Sequence, residues 1–143
     1  MCCSIRLVMG ILLFSIPSPT LFHGSAAAFP DRKNVQQPFA SAARTTSVNS
    51  SSFDVGDADV LVCYLSVTAA SGTTPTLDVK FQDTNDNGTT FFDIVGTSFT
   101  QVTSSPSTQI VSATRKFSRK VRCVVTIAGT TPSFTFHVEM LTY

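Results

Sequence analysis

The sequence predicts an all-β fold: an antiparallel β-sandwich of jelly-roll or immunoglobulin-like type, about eight strands, with an extended N-terminal arm. Three observations predict it. Apolar and polar residues alternate with a period of two through most of the chain beyond residue 44. Gly, Pro, Asn and Ser clusters punctuate that alternation at short intervals, and no segment there keeps a period of 3.6. One phrase is also written twice. Val67 to Val79 contains Gly72-Thr73-Thr74-Pro75, and Val125 to Phe136 contains Gly129-Thr130-Thr131-Pro132. Each copy reads as a strand, a Gly-Thr-Thr-Pro turn and a second strand, so two similar hairpins are expected. Two copies are too few for a solenoid or propeller.

In order, Thr45–Asn49 reads as an edge strand, and the stretch from Phe53 to Asp57 turns into the next. Val60–Ala69 is a strong strand with β-branched residues on both faces. Thr76–Gln82 points Leu77, Val79 and Phe81 inward and Asp78, Lys80 and Gln82 outward. Asn85-Asp86-Asn87-Gly88 is a hairpin turn in which Asn87-Gly88 supply the positive φ angles of a type I′ turn. Strands then follow over 90–95, 98–102, 108–113, 121–127 and 133–142. The last places Phe134, Phe136, Val138 and Met140 on one face, with Thr135, His137 and Glu139 on the other.

The chain of 143 residues is one domain by size, with 43% hydrophobic residues, 13% charged residues and a formal net charge of +1. Such a balance does not support nucleic-acid binding through phosphate neutralisation. Its one basic run, Arg115, Lys116, Arg119, Lys120 and Arg122, reads as a solvated turn or a protein contact. The low charge suits a surface that is hidden in an assembly. Cys63 and Cys123 alternate with apolar neighbours and so face the core, either as buried free thiols, the favoured reading, or as an intersheet disulfide. Without a Cys-x-x-Cys pair, and with His23 and His137 distant from any cysteine in sequence, no zinc site is expected.

Residues 1–43 are set apart as an arm and residues 44–143 as the sandwich body. Arg6, an apolar run from Leu7 to Ile16, and Ser25-Ala26-Ala27-Ala28 have the layout of a secretory signal. The run is too short to span a bilayer, which takes about 20 apolar residues. The rival and favoured reading is a retained arm. Pro30, Gln36, Gln37, Pro38 and the Ala/Ser stretch at 40–43 suit an extended tether that reaches a neighbouring subunit. Ile11, Leu12, Leu13, Phe14, Leu21 and Phe22 are its expected partner-binding residues.

Two motifs touch on chemistry. Asp83-Thr84-Asn85-Asp86-Asn87-Gly88 matches the first half of a calcium loop, but the bidentate carboxylate position falls on Ile94. The same stretch, read as Thr84-x-Asp86-x-Gly88-x-Thr90-Phe91, resembles an Asp-box hairpin, in which the Asp folds back on turn amides and an aromatic anchors the loop. The structural reading is preferred, and no cofactor is expected. Asp54, Asp57 and Asp59 sit beside a glycine turn, where acidic residues cap or solvate. His137 has no nucleophile or carboxylate partner in view, and there is no Gly-x-Ser-x-Gly. The expectation is a protein that is not an enzyme. Asn49-Ser50-Ser51 and Asn87-Gly88-Thr89 are glycosylation sequons, relevant only to a chain secreted by a eukaryote.

From roughly Ala40 onward the chain resembles small structural proteins of tailed bacteriophages. The residues that carry the likeness are the stretch from Ala69 through Gly72-Thr73-Thr74-Pro75 to Val79, then Asp86-Asn87-Gly88-Thr89-Thr90-Phe91-Phe92-Asp93-Ile94. Ser98-Phe99-Thr100-Gln101, Val121-Arg122 and Gly129 to Phe136 complete it. Similar proteins commonly carry Trp at Phe91 and Gly at Asn87, and both differences keep the turn and its aromatic. The resemblance implies a virion component, a decoration or cement protein on the capsid surface, whose partners are the major capsid protein and copies of itself, often as a homotrimer. A minor tail protein looks much the same, and a secreted adhesion or carbohydrate-binding module with a cleaved signal is the reading from another class. No nucleic-acid or membrane partner is expected. The first 39 residues lie outside the likeness.

Overall fold

The computed structural model describes residues 34–143. Seven strands follow in order: β1 (Asn34–Arg44), β2 (Val48–Asn49), β3 (Phe53–Asp54), β4 (Val60–Thr84), β5 (Phe92–Asp93), β6 (Ser107–Thr114) and β7 (Lys120–Thr142). Every pairing is antiparallel. The fold is all-β, in a single hydrogen-bonded sheet ordered β1-β7-β4-β5, with β6 on β4 and β2 and β3 on β7.

Two long strands make the frame. The first half of β4 (61–71) pairs with the second half of β7 (133–142), and the second half of β4 (76–84) pairs with the first half of β7 (120–128). The alternation in sequence decides which face each half buries. Leu61, Cys63, Leu65 and Val67 lie beside Phe136, Val138, Met140 and Thr142 in one half, while Leu77, Val79 and Phe81 lie beside Cys123, Val125 and Ile127 in the other. All of these are buried, and the apolar ones form one cluster. A sheet face with side chains at or near zero exposure needs a second layer above it. Among the described residues only the opposite half of the same ribbon offers one, so the β4–β7 ribbon doubles over on itself. Each large side chain buried this way contributes about 1.5–3 kcal/mol before ordering costs.

The repeated phrase sits at the fold-over, and here the hairpin expectation is corrected. Gly-Thr-Thr-Pro is not a turn that joins two paired strands; it is a bend inside one long strand, and the two copies pair with each other through Thr73 and Thr130. A Cβ added to Gly72 would lie 2.7 Å from the Thr131 carbonyl oxygen and 2.9 Å from Pro132 Cα. A Cβ on Gly129 would lie 2.7 Å from the Thr74 carbonyl oxygen and 2.9 Å from Pro75 Cα. The contacts are reciprocal, as around a local two-fold axis. Thr74 and Thr131 both adopt φ 48°, a left-handed conformation that β-branched residues rarely take. Each such residue costs on the order of 1–3 kcal/mol, held in place by the surrounding packing.

The smaller elements close the edges. Residues 34–43, counted with the arm in the sequence reading, form most of β1 and pair with the second half of β7 through two register shifts. Pro38 is tolerated there because an edge strand needs no donor on its free side. Phe39 is buried edge-on against Phe136, with ring centroids 6.0 Å apart. The Arg44 guanidinium covers both rings at 5.0 and 4.7 Å and donates to the Ala40, Ala42 and Phe136 carbonyls. Beyond β1, the Ser47 and Ser50 hydroxyls accept from the Ile127 and Cys123 amides, standing in for missing ladder carbonyls. The expected strand at 98–102 is an irregular companion of β4: Phe99 N donates to Val79 O, and Val102 and Leu77 exchange both bonds.

The bend generates a prediction. Gly72→Ala or Gly129→Ala lowers stability in urea unfolding by about 3 kcal/mol or more, since the added methyl meets backbone that has no room to move. Gly56, at φ +56° with nothing within 4 Å of its would-be Cβ, is the control, and Gly56→Ala costs only about 1–2 kcal/mol. Equal losses at all three positions would show that backbone conformation, not the reciprocal contact, imposes the requirement.

Candidate interaction surface

The doubled ribbon has two outer faces, and they differ. On the half formed by residues 76–84 and 120–128, the outward side chains bond to one another. Lys80 and Gln82 donate to Asp93 at 2.8 and 2.7 Å, Gln101 donates to Asp78, and Arg122 donates to Gln82 at 2.8 Å. Arg122 also lies 3.7 Å above the Phe91 ring. Val124 and Thr126 lie between these residues, and Phe92 and Val95, 52% and 87% exposed, flank the same half.

The opposite face carries cross-strand rows built by register. Val35, Leu141, Val62 and Ser112 form one row, Glu139, Tyr64 and Ile110 the next, and His137, Ser66 and Thr108 the third. Val35 and Ile110 are 62% and 63% exposed. Tyr64, His137 and Glu139 make no side-chain hydrogen bond or ion pair within the described residues. A weakly charged face with an aromatic at its middle, and with polar groups unused among the described residues, has the composition of a protein contact surface.

The residues singled out in the sequence distribute as follows. Ile11, Leu12, Leu13, Phe14, Leu21 and Phe22 lie outside the described residues. The basic run and the acidic cluster, read separately in sequence, meet. Arg115 pairs with Asp83, Lys116 with Asp59 at 2.6 Å and Arg119 with Asp54 at 2.7 Å, while Lys120 donates to the Asn87 carbonyl. The Arg119 hydrogen bond, helped by the Gly56 amide, holds the Asp54 carboxyl below its usual range. A groove of about 400 Å³ lined by Thr84, Asn85, Asn87, Ser118, Arg119 and Lys120 therefore has its cations already engaged. Cys63 and Cys123 are free and buried; burial pushes both thiols far above their ordinary range, and Cys123 raises Cys63 further. His137 stands on the outer face with Tyr64 and Glu139, away from the buried side of β7.

The Asp86 loop is wider than a two-residue type I′ hairpin. Residues 84–91 connect the pairs Asp83↔Phe92 and Gln82↔Asp93. Asn87 and Gly88 do take positive φ, 63° and 108°. The Asp86 carboxylate accepts from the Thr84 hydroxyl at 2.6 Å and from the Thr89 and Thr90 amides at 2.9 and 2.7 Å, and Phe91 anchors the loop beneath Arg122. This is the Asp-box arrangement. Asp83, at the first position of the partial calcium motif, is 3% exposed and committed to Arg115. Among the described residues, no group of three or more His, Cys, Asp or Glu is placed to hold a metal ion.

What the sequence reading missed is this candidate face. Tyr64, Ile110 and Leu141 are outward residues in alternating strands, and only the register brings them together with Val62. Val35 falls in the stretch that the sequence sets apart as an arm.

No family model matches the chain, and no curated protein matches it. Among solved structures, it is similar to the crystal structure of SPBc2 prophage-derived protein YomS, at 16% identity and a TM-score of 0.44, over 77% of this chain and 91% of that one. No function is carried over from a likeness at this level.

The Asp86 loop generates a pH prediction. Hydrogen bonds, first from Thr84 and then from Thr90, hold the Asp86 carboxyl well below the usual carboxylate range. A carboxylate with a depressed folded-state pKa stabilises the fold above its unfolded value near 4 and loses that contribution as pH falls further. Asp86→Asn is therefore less stable than the natural chain near neutral pH, and the gap narrows as pH falls from about 4 towards 2. Urea midpoints across that range read the gap. A pH-independent difference would mean that the ionised form contributes nothing.

Proposed function

We propose that the protein is a non-enzymatic virion structural protein of a tailed bacteriophage, a decoration or cement protein that binds the major capsid shell. The reading is supported by the likeness of its bend, loop and strand motifs to small phage structural proteins. The observation that carries it is the contrast between the two outer faces. One half bonds most of its outward polar groups to one another, and on the other the Tyr64, His137 and Glu139 side chains have no hydrogen-bond or ion-pair partner among the described residues. A body braced at both ends of its ribbon and bearing one contact face fits a clamp better than a catalyst.

In this reading the N-terminal arm supplies a second grip. Burial of Ile11, Leu12, Leu13 and Phe14 against a neighbouring subunit would contribute about 6–12 kcal/mol before ordering, and fixing an extended segment offsets much of that. The arm and the face act together, so either one alone holds weakly.

Binding to capsid shells that lack the protein tests the reading. The full chain is expected to occupy its sites and to resist washing. A variant without residues 1–30, and a Tyr64→Ala variant of the full chain, should each dissociate at least tenfold faster while remaining folded. Undiminished occupancy by both variants overturns the proposal. So does a mature protein from the native source that begins at Phe29 by mass spectrometry, because a start there marks an exported chain.

A further inference from the structure

Asn87 and Gly88 shape the turn with their backbone, and the fold makes no use of the Asn87 side chain. The pair is the chain's one Asn-Gly sequence. Asn87 is exposed, and its carboxamide makes no hydrogen bond among the described residues. Gly88, at φ 108°, has no side chain to shield its nitrogen, and a Cβ added there would meet only the Phe91 ring, at 4.0 Å. The peptide group between the two residues is held from both sides. Its nitrogen donates to Thr84 Oγ1 at 3.1 Å, and its carbonyl oxygen accepts from Lys120 Nζ at 3.3 Å. The Thr84 hydroxyl in turn donates to the Asp86 carboxylate at 2.6 Å.

We infer that Asn87 is a site of spontaneous covalent modification: the Gly88 nitrogen attacks the Asn87 carboxamide, ammonia leaves, and hydrolysis of the cyclic imide installs isoaspartate at residue 87. The Gly88 proton passes to Thr84 Oγ1 as the Thr84 hydroxyl gives its own to Asp86, from which water carries it away. The charge left on the amide spreads onto the Asn87 carbonyl oxygen, where the Lys120 ammonium stabilises it. The hydrogen bond to Thr84 lies in the plane of the amide, so it leaves the faces of the nitrogen open to the carboxamide carbon. A bond forms from that nitrogen to Asn87 Cγ. The carboxamide nitrogen takes a proton from water, and its bond to Cγ breaks to release ammonia. One water then opens the ring, so the sum is carboxamide plus water to carboxylate plus ammonia.

Lys120 also selects the product. It donates to the ring carbonyl that was the main-chain one, so water adds there and the bond from that carbon to the Gly88 nitrogen breaks. The main chain then runs through the former side chain, which is isoaspartate, and the new carboxylate stays opposite the Lys120 ammonium. The groove of about 400 Å³ lined by Asn87, Ser118 and Lys120 admits the water. The lengthened main chain adjoins the Thr89 and Thr90 amides that hold Asp86, and the groove gains a negative charge. The site does not rest on the capsid reading, because the reaction belongs to the free chain.

The test follows the purified full chain at neutral pH by peptide mass spectrometry and by labelling with an isoaspartyl methyltransferase. The folded chain is expected to gain one mass unit at residue 87 at least as fast as the same chain unfolded in urea, with isoaspartate as the main product. Lys120→Met should slow the gain about fivefold and lower the share of isoaspartate. Lys120→Arg, which keeps a cationic donor, should restore both. Asn87→Gly, which suits the positive φ, should abolish the gain. All rates are read below the thermal transition of each variant, so a loss of stability does not mimic the effect. The proposal is overturned by a folded chain that changes more slowly than the unfolded one, or by a rate and product ratio indifferent to Lys120→Met. A gain that survives in Asn87→Gly overturns it too. None of these outcomes bears on capsid binding, which the shell experiment reads separately.

Discussion

The structure depends on one close contact, in which two glycines each face the other copy's Thr-Thr-Pro backbone. A ribbon of two 20-odd-residue strands can bury its apolar faces only by folding over, and the fold-over must happen in both strands at the same level. Gly72 and Gly129 allow it, because at each the space for a Cβ is already taken by the opposite carbonyl. Thr74 and Thr131 absorb the change of direction at positive φ. The identical wording of the two bends follows from their mutual packing: each is the other's environment, so the residue that solves the problem once solves it twice. Every buried pair on either side, from Leu61 beside Thr142 to Asp83 beside Val121, is placed by that crossing.

The sequence made the strands legible and left their partners hidden. Alternation placed Leu77, Val79 and Phe81 inward, and likewise Phe134, Phe136, Val138 and Met140, because burial on one face imposes a period of two whatever the strand pairs with. The same alternation is silent about partners, so Gly-Thr-Thr-Pro looked like a turn between neighbours when it is a bend between distant segments. Asn87-Gly88 announced positive φ correctly, since that preference is local. The width of the Asp86 loop was not local: it depends on where Gln82 finds Asp93. Residues 34–43 look like a tether because Pro38, Gln36 and Gln37 are poor strand formers, yet Phe39 has a slot beside Phe136 and Arg44 to cover it. Tertiary packing overrode propensity there.

The outer face around Tyr64 was illegible for a related reason. Val35, Val62, Tyr64, Ile110 and Leu141 come from four strands, and none stands out alone, since single exposed apolar residues are normal. Only the registers of β1, β6 and β7 on β4 make them contiguous. The opposite face shows what a solvent-directed version looks like in the same chain. There the outward positions include Asp78, Lys80, Gln82 and Arg122, each bonded to a neighbour, beside Val124 and Thr126. Both faces belong to one ribbon, so their difference lies in the residues at the outward positions rather than in the pairing of the strands.

The end of the body opposite the bend is closed by charge. Asp83, buried near the end of β4, takes the Arg115 guanidinium at the end of β6, and the Ser118 amide approaches the same carboxylate. β6 belongs to one half of the doubled ribbon and Asp83 to the other, so the pair ties the two halves together. Removing one partner of a buried pair leaves an uncompensated charge, a loss of about 3–5 kcal/mol that partial exposure of Arg115 moderates. Lys116 with Asp59 and Arg119 with Asp54 brace the same end from the surface, where each exposed pair contributes at most about 1 kcal/mol. The basic run, which in sequence reads as a solvated turn or a protein contact, is therefore the clasp of the fold. One end is held by backbone contact and the other by ion pairs, so the fold does not depend on the outward side chains of Tyr64, His137 and Glu139.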